Sequence, residues 1–218
     1  MPCRVRPFRS TDRAAVRGIC ADTGCRGDPI DPVFGDRDVF ADCLTRYYTD
    51  FEPESALIAE DEETGLVIGY LLGCRHSWRH ALVQTGLLLG AVVPKTLWRL
   101  ATLRYNGATR HFLWWVITRS ARETPPVPRH AAHFHINLLP AFRDGHATRQ
   151  LIFPYVASVA ARNGMRGVYG QMQVRDDRRT ARVFERYGFR ILERRRLTKF
   201  SHVDPEPIYL ATIFKAFD

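Results

Sequence analysis

The chain has 218 residues, 45% of them hydrophobic and 25% charged, which supplies a buried core and excludes a disordered or fibrous protein. Its net charge of +9 favours an anionic partner, whether a phosphate-bearing cofactor, nucleic acid or a membrane surface, and only three of its 32 basic side chains are lysines. The five cysteines, all between Cys3 and Cys74, form no CxxC pair, and MPCRVRPFRSTDR lacks an apolar signal-peptide core, so free thiols in a cytoplasmic protein are expected.

In chain order, CRVRPFR (3–9) reads as a first strand, and Ser10 or Thr11 is placed to cap a helix through DRAAVRGICADTG. After the loop GDPIDPVFGD, the segment VFADCLTRYYTDF has apolar residues at helical spacing and stops before Pro53. SALIAEDE and GLVIGYLLGCR then form a hairpin about 62–65. Residues 76–128 break this rhythm with two long apolar and aromatic helical patterns and the loop RETPPVPRH. They read as a helical insertion between the third and fourth strands of a single domain spanning 1–218. The most apolar window, ALVQTGLLLGAVV at 81–93, is short and interrupted for a membrane span.

HAAHFHINLL (130–139) is the next strand, then the loop in LLPAFRDGHATRQL, then a helix over ATRQLIFPYVASVAARNG that Pro154 should kink or restart. GVYGQMQV, FRILERRRLTKF and PIYLATIFKAF are strands, and RRTARVFERYG is a helix closed by Gly188. A strand ending in Pro, a loop carrying Arg143 and a helix start together suit a pyrophosphate, because free amides of a first helical turn and the helix dipole both face the anion. On HAAHFHIN, strict alternation puts His133, His135 and Asn137 on one face. A metal reading of His130, His133 and His135 has no Cys, Asp or Glu at ligand spacing behind it, and no metal is expected.

This order of elements resembles the GNAT acetyltransferase superfamily, on the strength of HINLLPAFRDGHATRQLI for the acetyl-coenzyme A strand and loop and DRRTARVFERYGF for the later family motif ending in G-F. The resemblance covers roughly 3–75 and 130–215. It implies an α+β fold with a central mixed, mostly antiparallel sheet of about seven strands flanked by helices, here with a helical insertion. It also implies acetyl-CoA as co-substrate, and direct attack by a primary amine of a small molecule or peptide. Leu138, Leu139, Arg143, Asp144, Gly145, His146, Ala147, Thr148, Asp177 and Phe184 fall on the cofactor side, with an oxyanion donor among the amides near Leu138 or Leu139.

By the same resemblance His135 is the general base, acting through water, and Asn137 orients the acceptor. Tyr47, Tyr48 and His133 face the substrate. The chain departs from the family at His146 and Thr148, where glycines are usual, at Asp177 in place of Asn, and at Phe184, where a Tyr often protonates the thiolate. Tyr187, one turn on, is the candidate substitute. A catalytically impaired acyl-CoA-binding module and a basic RNA- or membrane-binding protein are the competing readings. A homodimer through 81–117 or the last strand, and peripheral membrane contact through the insertion, are further partner readings, whereas nucleic acid is not the expected partner.

Overall fold

The structure, a computed structural model, describes residues 3–143, 145–162, 164–175 and 178–217. Seven strands form one sheet: β1 (Cys3–Pro7), β2 (Ala56–Asp61), β3 (Val67–Cys74), β4 (Ala131–Leu138), β5 (Gly167–Arg175), β6 (Arg190–Leu197) and β7 (Ile208–Ala216). Their spatial order is β1-β2-β3-β4-β5-β7-β6, and every neighbouring pair is antiparallel except β4 and β5. That one pair is parallel because a helix crosses over between its strands, where a tight turn could not. The expected α+β, mostly antiparallel seven-stranded sheet is thus what the chain builds.

α1 (Arg13–Asp22) and α2 (Arg37–Phe51) cover one face of the sheet, with Val16, Ile19 and Cys20 packed against Tyr70, Leu72 and Cys74 of β3. Four α-helices lie between β3 and β4: α3 (Ser77–Leu87), α4 (Val93–Ala101), α5 (Gly107–Thr118) and α6 (Ser120–Glu123). They join the same side of the core through Val92, Phe112 and Trp115. The other face carries α7 (His146–Ala160) and α8 (Arg178–Glu185), with Leu151, Tyr155 and Val159 against Leu71, Phe134 and Leu138. Period-two alternation along β3 and β4 therefore sorts side chains into two cores.

Three local expectations are corrected. Neither Ser10 nor Thr11 caps α1; Asp12, at the end of a 3-10 turn, accepts the Arg9 N–H at 2.8 Å and is held by Arg6, because a carboxylate paired to a guanidinium is the stronger acceptor. Pro154 does not restart α7, since the helix runs through it while Leu151, Ile152, Tyr155 and Val156 anchor both sides by burial. The apolar window at 81–93 is part of a continuous helical run, Ser77–Ala101, whose 25 residues are long and apolar enough to cross a membrane by length and composition alone. Pro94 lacks the N–H for an i−4 bond, and the helix widens into a π turn over Leu88–Val92 just before it.

Candidate active site

β4 pairs with β5 only from Ala131 opposite Gly167 to Phe134 opposite Gly170, while its pairing with β3 continues to Leu138 opposite Gly69. Beyond Phe134 the two parallel strands part. The Leu139 N–H donates to Ile68 O at 2.9 Å on the β3 side, so strand alternation turns the N–H and C=O of Leu138 toward the gap. Of the two amides expected to serve as oxyanion donor, that of Leu139 is committed to the sheet and that of Leu138 is turned to the gap.

At the end of this gap the chain passes through a 3-10 turn, Pro140–Phe142, and enters α7 at Gly145. Gly145 is left-handed, with φ 88°, a conformation costing a residue with a Cβ about 1–2 kcal/mol. The single glycine of the loop thus stands where the backbone reverses. The first amide to bond back within the helix is that of Arg149, to Gly145 O at 3.1 Å. The amides of His146, Ala147 and Thr148 precede it in the first turn, the arrangement that holds anions. Ala147 is buried beneath the turn, and the exposed His146 ring lies along α7 with Nε2 2.8 Å from Gln150 Nε2.

Arg143 is engaged otherwise than its loop position suggests. Its Nε donates to Leu138 O at 3.0 Å and a terminal nitrogen to Gly27 O at 2.7 Å, so the guanidinium bridges the end of β4 to the loop after α1. Gly27 has φ 93°, and a Cβ there would lie 2.3 Å from the guanidinium; only glycine admits this bridge. That loop is also tied to β5, with the Arg26 N–H donating to Gln173 Oε1 at 2.9 Å and Gln173 Nε2 to Gly24 O at 3.3 Å. Burial of the guanidinium lowers the Arg143 pKa.

His133, His135 and Asn137 share one face of β4, opposite Cys74, Leu72 and Tyr70 of β3, as alternation predicts. The Asn137 amide donates to the Tyr70 hydroxyl at 2.8 Å and lies 3.4 Å from His135 Nε2, while His135 Nδ1 is 3.4 Å from Leu44 O. Nδ1–H facing a carbonyl leaves Nε2 as the acceptor. Burial, outweighing the Leu44 bond, holds the His135 pKa down at about 4. His133 is held lower still, at about 3, by burial and then by His80 and His135; its Nδ1 lies 2.8 Å from the Tyr48 hydroxyl, within hydrogen-bond distance.

The Tyr47 hydroxyl is directed to Glu52, donating to Oε2 at 2.9 Å. Glu52 is fully buried and also accepts from Ser55 Oγ, the Arg75 N–H and Arg75 Nε at 2.8–3.0 Å. Burial raises its pKa, but the Arg75, Tyr47 and Ser55 bonds together hold it below the usual value. From α3, His80 packs edge-on to Tyr47 with ring centroids 4.6 Å apart and stands 6.1 Å from His133. Tyr70, His80 and Glu52 are absent from the sequence-derived set. The only signal for them was a polar residue interrupting each apolar pattern, together with the β3–β4 register that sets Tyr70 opposite Asn137.

The remaining expected residues divide by location. Phe184 packs into the apolar core under α7, and Tyr187, in the turn after α8, places its hydroxyl 3.3 Å from Gly145 O. Tyr187 therefore braces the α7 entry loop. Asp144 and Asp177 lie outside the described residues. His130 sits before β4 in a left-handed turn, apart from the strand positions of His133 and His135, and among the described residues no group of three or more His, Cys, Asp or Glu is arranged to hold a metal ion.

A seven-stranded sheet opened between β4 and β5, with a helix N-terminus at the end of the gap, is the GNAT fold. No family model matches the sequence, and no curated protein matches it. Among solved structures the chain is similar to SsHAT, at 22% identity and TM-score 0.62 over 99% of this chain and 98% of that one. It is also similar to a GNAT superfamily phosphinothricin acetyltransferase from Sinorhizobium meliloti in complex with AcCoA, at 15% identity and TM-score 0.56 over 100% and 89% of the two chains. A ribosomal-protein-alanine N-acetyltransferase from Brucella melitensis matches at 14% and TM-score 0.55, over 98% and 99%. At these identities the likeness establishes the fold and leaves the chemistry to the residues.

Proposed function

We propose that the chain is a cytoplasmic, acetyl-CoA-dependent N-acetyltransferase acting on a primary amine of a small molecule or peptide by direct attack. The observation that carries this reading is the parting of β4 from β5 after Phe134 and Gly170, with Leu138 turned into the gap and the α7 amides at its end. The residues present suit a pyrophosphate through the backbone of His146, Ala147 and Thr148 and the left-handed Gly145. Arg143 contributes to the loop's shape rather than to that donor set, since its guanidinium is bonded to two carbonyls.

Acetyl-CoA, when bound, supplies the thioester. The Leu138 N–H is directed to polarise its carbonyl. Asn137, fixed by Tyr70, and His135 Nε2 present a donor and an acceptor to the amine. With its pKa near 4, His135 is neutral at pH 7 and about six units weaker as a base than an alkylamine, so it positions the amine and passes its proton to water instead of removing it outright. Phe184 carries no acidic proton and Tyr187 is bonded to the loop, which leaves protonation of the departing thiolate to solvent.

The engagement of Arg143 and a phenylalanine, half-buried, at position 184 favour one second reading, an acyl-CoA-binding module without transfer. Acetyl-CoA at about 100 times its Kd should stabilise the fold by about 2.7 kcal/mol, a Tm rise of roughly 5–10 °C for a chain of this size. Thiol release with a panel of amines then separates transfer from binding. His135→Gln should lower kcat by about 100-fold while leaving acetyl-CoA stabilisation intact. No Tm response to any CoA species would remove both readings.

A further inference from the structure

The outward face of the Ser77–Ala101 helix carries no charge. Between residues 77 and 103 every exposed position is apolar, small or hydroxyl-bearing, and Arg79, Lys95 and Arg99 all sit at half-buried flanking positions. Trp78, Leu82, Leu89, Leu97, Trp98 and Leu103 are 59–85% exposed. The inward face is anchored: Gln84 Nε2 donates to Cys43 O at 2.7 Å, His80 packs on Tyr47 and Val92 is buried. Held to the domain by these contacts, the helix is placed to lie in the surface of a bilayer.

Charge decides between the occupants such a face might take. Residues 76–128 hold seven Lys and Arg against one carboxylate, Glu123, and so carry six of the chain's nine net positive charges. Glu123 is turned inward, accepting from Trp115 Nε1 at 2.6 Å and from the Thr198 N–H and hydroxyl at 2.7 and 2.6 Å. Among the described residues Arg79, Arg104 and Arg110 have no carboxylate at ion-pair distance. Lys95 and Arg99 are paired with Asp42 and Asp36, so the cations left to a partner are Arg79 beside the stripe and Arg104 and Arg110 beyond its end. A second copy would bring these like charges together, whereas an anionic lipid surface receives the leucines and neutralises them. Trp78 and Trp98, twenty residues and about 30 Å apart along the helix, mark both ends with the side chain that favours the headgroup layer.

We propose that the outward face of the 77–103 segment docks on an anionic lipid bilayer, with the helix in the plane of the interface and its leucines in the acyl region. This goes beyond the acetyltransferase reading and stands independently of it. The test is flotation of the full chain with phosphatidylcholine vesicles, with and without phosphatidylglycerol, together with sedimentation in the absence of lipid. The chain should float with the anionic vesicles, less so at high salt, with a blue shift of tryptophan emission. Leu89→Glu combined with Leu97→Glu should weaken retention at least about tenfold, since each leucine withdrawn from an apolar phase is worth roughly that factor. Trp78→Ala with Trp98→Ala is the second variant, and unchanged circular dichroism shows that each is folded. The proposal is overturned by failure to float with either vesicle type, by retention indifferent to both variants, or by a lipid-independent dimer that Leu89→Glu dissolves.

Discussion

Lowering the pH from 7 to 5 should destabilise this fold through two histidines. In the unfolded chain a histidine takes up a proton near pH 6.5, but in the native state His133 and His135 resist protonation down to about 3 and about 4, because burial penalises the imidazolium. Their folded pKa values are depressed, so the neutral native form is fully favoured above 6.5 and its advantage fades as the pH falls toward the folded values. Once the pH is below 6.5 each histidine costs about 1.4 kcal/mol per unit, which is about 2 kcal/mol each between pH 7 and 5. This figure depends on the unfolded pKa and holds for any folded value well under 5. The pair should therefore remove about 4 kcal/mol, a large part of a typical stability of about 5–15 kcal/mol. His80, lowered by burial as well, acts in the same direction. Urea unfolding at the two pH values measures the effect, and His133→Gln and His135→Gln should each recover about half of it. A wild-type change under about 1 kcal/mol, or variants that keep the whole pH dependence, would refute the reasoning.

Glu52→Ala leaves the Arg75 guanidinium and the Tyr47 hydroxyl without their acceptor in a fully buried place and should cost about 3–5 kcal/mol in chemical denaturation; a loss below about 1 kcal/mol would show that water replaces the carboxylate. Gly145→Ala forces a Cβ into a left-handed turn 3.3 Å from the Tyr187 hydroxyl and should cost about 1–2 kcal/mol, together with a weaker Tm response to acetyl-CoA. Tyr187→Phe separates the two causes. It removes only the bond to Gly145 O and should cost about 1 kcal/mol by the same measurement.

Legibility in the sequence followed the range of the interaction. The strands and helices were readable because periodicity is local: Tyr70, Leu72 and Cys74 alternate with residues of the opposite core, and Val16, Ile19 and Cys20 repeat at helical spacing. His133, His135 and Asn137 could be placed on one face for the same reason. The partners of those residues could not. Nothing near His133 in the chain indicates the Tyr48 hydroxyl or the His80 ring, which reach it from α2 and from the insertion.

The opening loop shows the division most clearly. LLPAFRDGHATRQL determines by itself a strand end, a reversal at its glycine and a helix start, because each depends on a few consecutive residues. Only the folded chain decides that Arg143 turns back to Leu138 O and Gly27 O, that Tyr187 braces Gly145 and that the His146 ring lies along the helix. The contacts to Gly27 and Tyr187 belong to a loop more than a hundred residues earlier and a turn some forty residues later, whereas the His146 ring meets Gln150 only one helical turn on. The charge-free outward face of Ser77–Ala101 is of the same kind: its apolar residues are plain in the sequence, but which of them meet the core and which meet solvent is set by the sheet on which the helix lies.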